Sequence, residues 1–400
     1  MSTSVDQAPR IAVVGGGIGG LAAARFLHLA GMPATVYEQA AALKQVGAGL
    51  VVAPNAVRLL RRLGIMEPFL DRAVPLDTGW EFRRWDDGRT LSAENLIHSC
   101  ERLYGERTYT IHRADLLSAI NSTLPEEAVR LEMQCTGISV HAGGAELAFA
   151  DGSRVEADVV IGADGVHSVV RGTVTTPSPP QYSGLCAFRA LVPAERAPAF
   201  ARRRAQTLWI GPNHHLVHYP ISAAQTINLV AFAPAGELIE ESWSATATVE
   251  ELLAEFAGWD RRLTQLIRAA GTPGRWALLD RAPLTRWSMG RVTLLGDAAH
   301  PMFPFYAQGA AQSIEDAAVL AGCLSTEEDP TRALRRYESL RIGRTTRIQR
   351  ESHTRARVNH LPDGPEQAAR DAALAAADPL VDNGWIYGHD AAAAVNEATN

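Results

Sequence analysis

The chain predicts an α/β fold in which a dinucleotide-binding domain is interrupted by a mostly antiparallel β-sheet domain and followed by C-terminal helices. Three observations carry this expectation. A short apolar strand, Ile11-Ala-Val-Val14, runs into glycines at 15, 17 and 20 and then into an alanine-rich helical stretch. Two later apolar strands also end in a glycine beside an acid, at Ile161-Gly-Ala-Asp164-Gly165 and at Leu294-Leu-Gly296-Asp297. Between them, from about Gln181 to Arg286, segments alternate with the two-residue period of half-buried strands.

In the first turn Gly15 permits the tight bend, Gly17 lets the backbone approach a pyrophosphate and Gly20 lets helix and strand pack closely. The helix start then faces the phosphates with its free amides. The helical stretch Leu21 to Ala30 ends at Gly31 and Pro33, and a second strand, Ala34-Thr-Val-Tyr-Glu38, comes next. A carboxylate at this strand end accepts hydrogen bonds from adenosine ribose hydroxyls and repels a 2'-phosphate, so Glu38 favours FAD or NAD over NADP. Strand, glycine turn, helix, strand and acid together read as a Rossmann-like unit.

The remaining elements are read in chain order. Val46 to Asn55 continues the first unit, with a helix around Ala56 to Leu63. Trp80, Phe82, Trp85 and the turn Asp86-Asp-Gly88 read as inserted strands, and helical sequence returns at His112 to Ile120. Gly137 to His141, Ala145 to Ala150 and Asp158 to Gly162 are expected to form a small meander. The second domain carries Cys186 to Val192, Leu208 to Ile210 and His215 to Tyr219 as strands and a helix near Val249 to Ala257. Strand Val292 to Leu295 and the helix after Gln308 resume the nucleotide domain. The predicted boundaries are 10–75, 107–178 and 287–360 for the discontinuous nucleotide-binding domain with its helices, 76–106 and 179–286 for the second domain, and 361–400 for a tail.

Composition bounds the function. A chain of 400 residues with 46% hydrophobic and 20% charged residues can fill two cores. A formal charge of -6 argues against a nucleic-acid binder, and the arginines recurring from Arg332 to Arg357 read as the solvated face of a helix. Cys100, Cys135, Cys186 and Cys323 form no CxxC pair, which points away from zinc and from a local redox disulfide. No apolar run is long enough to span a bilayer and the N-terminus lacks the pattern of a secretory signal, so a cytoplasmic monomer or homodimer is expected.

In Asn213-His-His-Leu-Val-His-Tyr-Pro220 a strand puts His215, Val217 and Tyr219 on one face and His214, Leu216 and His218 on the other. His214 and His218 lie roughly 13 Å apart along such a strand, too far to share one metal ion, and no metal is expected.

The three glycine motifs, in this order and at these separations, resemble those of the single-component FAD-dependent aromatic hydroxylases. The resemblance covers almost the whole chain and is nearest to the salicylate and hydroxybenzoate monooxygenase branch. That branch shares the Gly47-Ala-Gly49 loop, the His112-Arg113 pair, Phe188-Arg189 in a strand and a tail like Gly384-Trp-Ile-Tyr-Gly388. It implies that Gly15, Gly17 and Gly20 hold the FAD pyrophosphate, that Glu38 holds the ribose and that Arg113 reaches the cofactor. Gly296 and Asp297 would meet the ribitol chain, and Asp164 belongs to a motif associated with both FAD and the nicotinamide nucleotide. Gly47, Ala48 and Gly49 would border the flavin, and the helix start at Gly309 and Ala310 would aim its positive end at the pyrimidine side of the ring system.

No second GxGxxG lies downstream, so NADH or NADPH is expected to visit transiently. In the resembled family the reduced flavin takes up O2 as a C4a-hydroperoxide, which hydroxylates an electron-rich ring. The implied substrate is a small aromatic acid, such as a hydroxy- or aminobenzoate or a hydroxypyridine carboxylate. Deprotonating its ring hydroxyl calls for a base, and the family places a histidine facing substrate at His215. Arg189, Tyr219, Tyr306 and Arg83 are candidates for the substrate carboxylate, with Arg189 also able to brace the sheet against the flavin. Pro304, with Pro301, stiffens the segment passing the flavin edge, where Met302 to Tyr306 is more apolar than in several relatives, and His300 is expected to orient that loop. A flavin-dependent halogenase would carry a Trp-x-Trp-x-Ile-Pro signature, which this chain lacks. A flavoprotein that senses an aromatic ligand without turnover is the other alternative.

Overall fold

A computed structural model describes residues 9–43, 49–176, 178–235 and 246–397. Its first layer is a six-stranded sheet in the order Ser288–Met289, Val292–Leu294, Val159–Gly162, Ile11–Val14, Ala34–Tyr37, Val129–Arg130. All neighbours are parallel except the hairpin of the first two strands. The central strands are continuous apolar runs because helices cover the sheet, among them Ile18–Leu29 and Gly309–Thr326, which pack against each other. Sheet and helices share one hydrophobic core with Val13, Leu21, Ile161, Leu294 and Ile314 fully buried.

One expectation fails here. The three-stranded meander is Cys135–His141, Gly144–Phe149 and Arg154–Ala157. Val159–Gly162, assigned to the meander from sequence, instead pairs with Ile11–Val14 in the centre of the parallel sheet. Its residues are buried on both faces, and so match that place better than a half-solvated hairpin.

The second domain is a seven-stranded sheet in the order Gly274–Asp280, Gln181–Pro193, Thr226–Pro234, His214–Ile221, Ala205–Gly211, Thr78–Arg84, Thr90–Asn95. Every pair is antiparallel except Ala205–Gly211 with Thr78–Arg84. One face carries Phe188, Ala190, Trp209, Leu216 and Leu229 into a core with Phe256, Leu263 and Ile267 from the helices Val249–Glu255 and Arg261–Arg268 and their flanks. The first of these begins with a capping box between Thr248 and Glu251. The opposite face looks toward the nucleotide domain. A small antiparallel sheet, Gly49–Val52, Tyr109–His112 and Val74–Pro75, lies between the two.

Arg332, Arg335, Arg347, Arg350 and Arg357 do form a solvated face on the long helix Pro330–Asn359, but not every arginine in the series belongs to it. Arg341 is 1% exposed and Arg344 is largely covered, because both complete a buried ionic cluster with Glu315 and Asp316.

Candidate active site

Strand order explains why three motifs distant in sequence meet. Along the carboxyl ends of four adjacent parallel strands stand Asp297, Asp164, Gly15 and Glu38, at the crevice where ligands of open α/β sheets bind. The ladder runs on past the strands, with Leu295 N–H donating to Gly162 O, Ala163 N–H to Val14 O and Gly15 N–H to Tyr37 O, each at 2.8 Å. Gly15 has φ +107°, and a Cβ there would lie 2.4 Å from Ala163 O, so the first turn tolerates only glycine. A Cβ on Gly20 would lie 1.9 Å from Gly15 O, the close helix–strand contact expected of the third glycine. Gly17 differs: its backbone is ordinary, with φ -71°, and nothing stands within 4 Å of a Cβ built on it. That open space at a helix N-terminus is where a pyrophosphate fits.

The acids along this line are held differently. Glu38 accepts Gly16 N–H at 2.6 Å and Ala40 N–H at 2.9 Å, which fixes it beside the turn. One oxygen of Asp164 caps the turn after it by accepting the N–H groups of Val169 at 2.8 Å and Val170 at 3.2 Å. Its other oxygen is buried without a partner among the described residues, and burial raises its carboxyl pKa. Asp297 is open to solvent yet ringed by protein, as a side chain lining a deep recess is. Desolvation raises its carboxyl pKa, while His300 and Arg113 pull it back down. Arg113, at the start of the helix Arg113–Asn121, is itself desolvated, with Asp297 its one stabilising charge.

Gly309 opens the helix Gly309–Thr326 with no atom within 4 Å of where a Cβ would be, so its first turn, with Ala310, also faces open space. Ala307 just before it adopts a left-handed φ of +52°. Beneath this turn lies a buried polar cluster. Arg341 bonds Asp316 and Glu315 at 2.7 Å each and the Gln312 side chain at 2.7 Å. Arg344 bonds Glu315 at 2.8 and 3.0 Å, Asn55 donates to Glu315 at 2.7 Å and to Gln308 at 3.0 Å, and His300 meets Asp316 at 2.6 Å. Asp316 also accepts Gly296 N–H at 3.0 Å. Despite full burial, Arg341 and Arg344 hold Glu315, and His300 followed by Arg341 hold Asp316, below the usual carboxylate range. The cluster thereby locks the Gly296–Asp297 turn, His300 and the helix start to one another.

Across the recess stands the face of the seven-stranded sheet that its own helices leave uncovered. Residue rows run across its strands: Ala187, Phe232, His215 and Ile210 in one, Arg189, Val230, Val217, Leu208 and Phe82 in the next, then Asn228 and Tyr219. His215 is 2% exposed, stacked on Phe232 at 4.3 Å between ring centroids and met edge-on by Phe305 at 5.0 Å. Its Nδ1 lies 2.6 Å from Nε2 of His360, which the turn before the strand fixes through Asn213 N–H donating to His360 O at 3.0 Å. Burial, then His360, lowers the His215 pKa well below the usual histidine value. Tyr219 is buried and its phenol pushed up, with Arg189 acting the other way. Arg189 is desolvated, which pushes its pKa down to about 10, and stacks over Trp276 at 4.8 Å. Gly49 joins this face to the first domain: its N–H donates to Asn228 at 2.9 Å, and a Cβ there would stand 2.6 Å from the Tyr219 ring.

Two expectations need correction or qualification. Arg83 leaves the candidate substrate residues, because strand alternation turns it to the helix-covered face, where it bonds Glu81 at 3.0 Å and lies over Trp209. Gly47 and Ala48 lie outside the described residues. Pro304 and Tyr306 form a short turn beside Phe305. His214 and His218 face away from the recess. His214 meets Glu255 at 2.9 Å, and His218 accepts Trp209 Nε1–H at 3.2 Å. Sequence reasoning missed Asn228, His360 and the acid–arginine cluster. A lone asparagine inside Thr226–Pro234 was the one signal, since an amide in an apolar strand needs a partner.

Open glycines at two helix starts, an enclosed acid and two desolvated arginines suit a dinucleotide with an extended planar ring. The comparisons with known proteins agree. The chain is 45% identical over 385 residues to a 3-amino-4-hydroxybenzoate 2-monooxygenase of Streptomyces platensis, covering 96% of this chain and 97% of that protein. It is 36% identical to the 6-hydroxynicotinate 3-monooxygenase of Pseudomonas fluorescens, covering 90% and 94%. The solved structure of a salicylate hydroxylase substrate complex superposes with a TM-score of 0.83 at 29% identity over 98% of both chains. With residues 9–352 matched by the model of the FAD binding domain family, the chain belongs to that family, as an FAD-dependent monooxygenase.

Proposed function

We infer that this monooxygenase hydroxylates the ring of a small aromatic acid bearing a hydroxyl group, with NADH or NADPH as the visiting reductant and O2 as co-substrate. The observation that carries the reading is a buried histidine, His215, on the sheet face turned to the first domain, where burial pushes its pKa down and so favours the neutral ring. The relatives' names point the same way, since both act on hydroxylated aromatic acids.

FAD, once reduced, supplies the activated oxygen that the ring accepts. Gly15, Gly17 and Gly20 would hold its pyrophosphate, Glu38 the ribose, and Asp297 and Arg113 the ribitol side, with Gly49, Gly309 and Ala310 around the ring system. The positive end of Gly309–Thr326 would oppose the negative charge that develops on reduction. His215 accepts the substrate's hydroxyl proton, which raises the electron density of the ring. Neutral imidazole is the form this requires, and burial maintains it. Phe232, Phe305 and Val217 exclude water from the same space. Arg189 and Tyr219 lie within this face as polar groups for substrate or flavin. The unpaired cysteines fit a reducing cytoplasm.

The test is a screen of hydroxybenzoates, aminohydroxybenzoates and hydroxypyridine carboxylates for stimulation of NAD(P)H oxidation. A stimulating acid should be converted to a hydroxylated product, one oxygen heavier by mass or, where ring attack expels the carboxylate, one oxygen heavier and one CO2 lighter. Stimulation by none of them, or oxidation without any hydroxylated product, defeats the reading.

A further inference from the structure

Arg355 is the cation whose surroundings the first domain's chemistry leaves unexplained. It lies on the helix Pro330–Asn359, five residues before His360, and its guanidinium stands over three rings: Tyr306 at 4.7 Å, Trp80 at 5.3 Å and Phe82 at 5.5 Å. Trp80 and Phe82 are buried and stacked on one another. Arg341 and Arg344 on the same helix are each paired with acids. Among the described residues Arg355 has no hydrogen bond and no ion pair. Glu94, whose carboxyl the Arg355 charge pulls down, is 2% exposed and already accepts from Asn383 at 2.9 Å and from Tyr387 OH at 3.3 Å. Burial raises the Glu94 carboxyl to about 7, so near neutral pH it offers only part of a charge. Ring faces hold a guanidinium through its charge and do not satisfy its planar fork of N–H donors, which matches a carboxylate.

The arginine and the proposed base share one wall. Phe305 and Tyr306 are consecutive residues of one turn; Phe305 packs on His215 at 5.0 Å and Tyr306 on Arg355 at 4.7 Å. Phe82 pairs with Leu208 and Leu208 with Val217, so the arginine's aromatic seat is two strands from the strand that carries His215. Two strand spacings are about 10 Å, and Phe82 also lies one row along from His215, about 7 Å on the strand axis, so the diagonal is about 12 Å. A benzene or pyridine ring with a hydroxyl and a carboxylate at opposite ends, hydrogen-bonded at each, spans a gap of that order.

We propose that Arg355, seated on Trp80, Phe82 and Tyr306, binds the carboxylate of the aromatic acid and so selects acids whose carboxylate lies across the ring from the hydroxyl. This rests on the functional reading above. The test measures binding to the FAD-loaded protein by calorimetry for 3-amino-4-hydroxybenzoate and 6-hydroxynicotinate, and for their carboxylate-free counterparts 2-aminophenol and 2-hydroxypyridine. Arg355→Gln should weaken the acids about 10- to 100-fold, as loss of a charged hydrogen bond does, and leave the counterparts within about twofold. Arg355→Lys, which keeps the charge and loses the fork, should fall between wild type and Arg355→Gln, and both variants should keep the wild-type flavin spectrum. Equal weakening of acids and counterparts, or no weakening of the acids, overturns the assignment alone. A wild-type protein that binds neither these acids nor any other hydroxylated aromatic acid overturns the functional reading, and the assignment with it.

Discussion

Replacing His215 by Gln separates the proposed proton transfer from packing. The imidazole is 2% exposed, sandwiched between Phe232 and Phe305 and joined to His360 at 2.6 Å, so truncation to Ala would also open a cavity costing about 3 kcal/mol of stability. Gln nearly fills the volume and can still bond His360, but it cannot take a proton. General-base catalysis contributes about 10²–10⁴-fold, or roughly 3–5 kcal/mol of barrier, so hydroxylation by His215→Gln should fall by that factor while FAD stays bound. Because burial lowers the His215 pKa, the acidic limb of the wild-type kcat/KM profile should lie below the usual histidine value of about 6.5. In the variant, activity should recover in part at high pH, where a phenolic substrate ionises unaided. The assay is product formation from a stimulating acid between about pH 5 and 10. His214→Ala is the control, since that ring faces Glu255 on the other side of the sheet. If His214→Ala abolishes turnover while His215→Gln stays near wild type, the base has been misassigned.

Other substitutions probe the scaffold. Gly17→Ala should leave apoprotein unfolding by urea unchanged within about 0.5 kcal/mol while weakening FAD binding, whereas Gly20→Ala should damage both, because only the second Cβ strikes backbone; equal behaviour of the two would refute the assigned glycine roles. Arg341→Met should cost about 3–5 kcal/mol in a urea titration by stranding Asp316 and Glu315, while Arg332→Ala, an exposed pairing with Glu327, should cost less than about 1 kcal/mol, and similar losses would contradict the buried cluster. Burial holds the His218 pKa down to about 3, below its unfolded value of about 6.5. Its contribution is therefore complete above about pH 6.5 and declines toward about pH 3 by about 1.4 kcal/mol per pH unit, because the unfolded chain binds the proton first. His218→Gln should flatten the acid side of stability against pH by that slope, and an unchanged slope would show that His218 titrates normally.

Local chemistry makes much of the site readable from the chain. The glycine at 15 and the alternation of His214 and His215 are dictated by backbone geometry over a few residues, and the structure places them accordingly. The same short range explains the errors. Charge alone groups Arg83 with the substrate residues, but one step of strand alternation sends it to the far face with Glu81. Arg341 reads as solvated because arginines on helices usually are, and its acids, Glu315 and Asp316, lie more than twenty residues away on another helix. Proximity puts Val159–Gly162 in the meander, although parallel neighbours are always remote in sequence.

From the chain alone come the α/β class, the glycine turn after the first strand, the acids that follow three of the parallel strands and the face of the histidine strand. These depend on φ, on side-chain period and on the residue types directly after a strand, all of which are local. That Asp297, Asp164, Gly15 and Glu38 form one line is instead a consequence of strand order, which exists only in the folded molecule. So too are the reach of His360 to His215 and the seat of Arg355 on Trp80, Phe82 and Tyr306. Most of these contacts join segments far apart in the chain, and no propensity or period encodes which distant faces meet; only the folded chain packs the helix Pro330–Asn359 on Gly309–Thr326 and carries its Arg355 onto Trp80 and Phe82 of the other sheet.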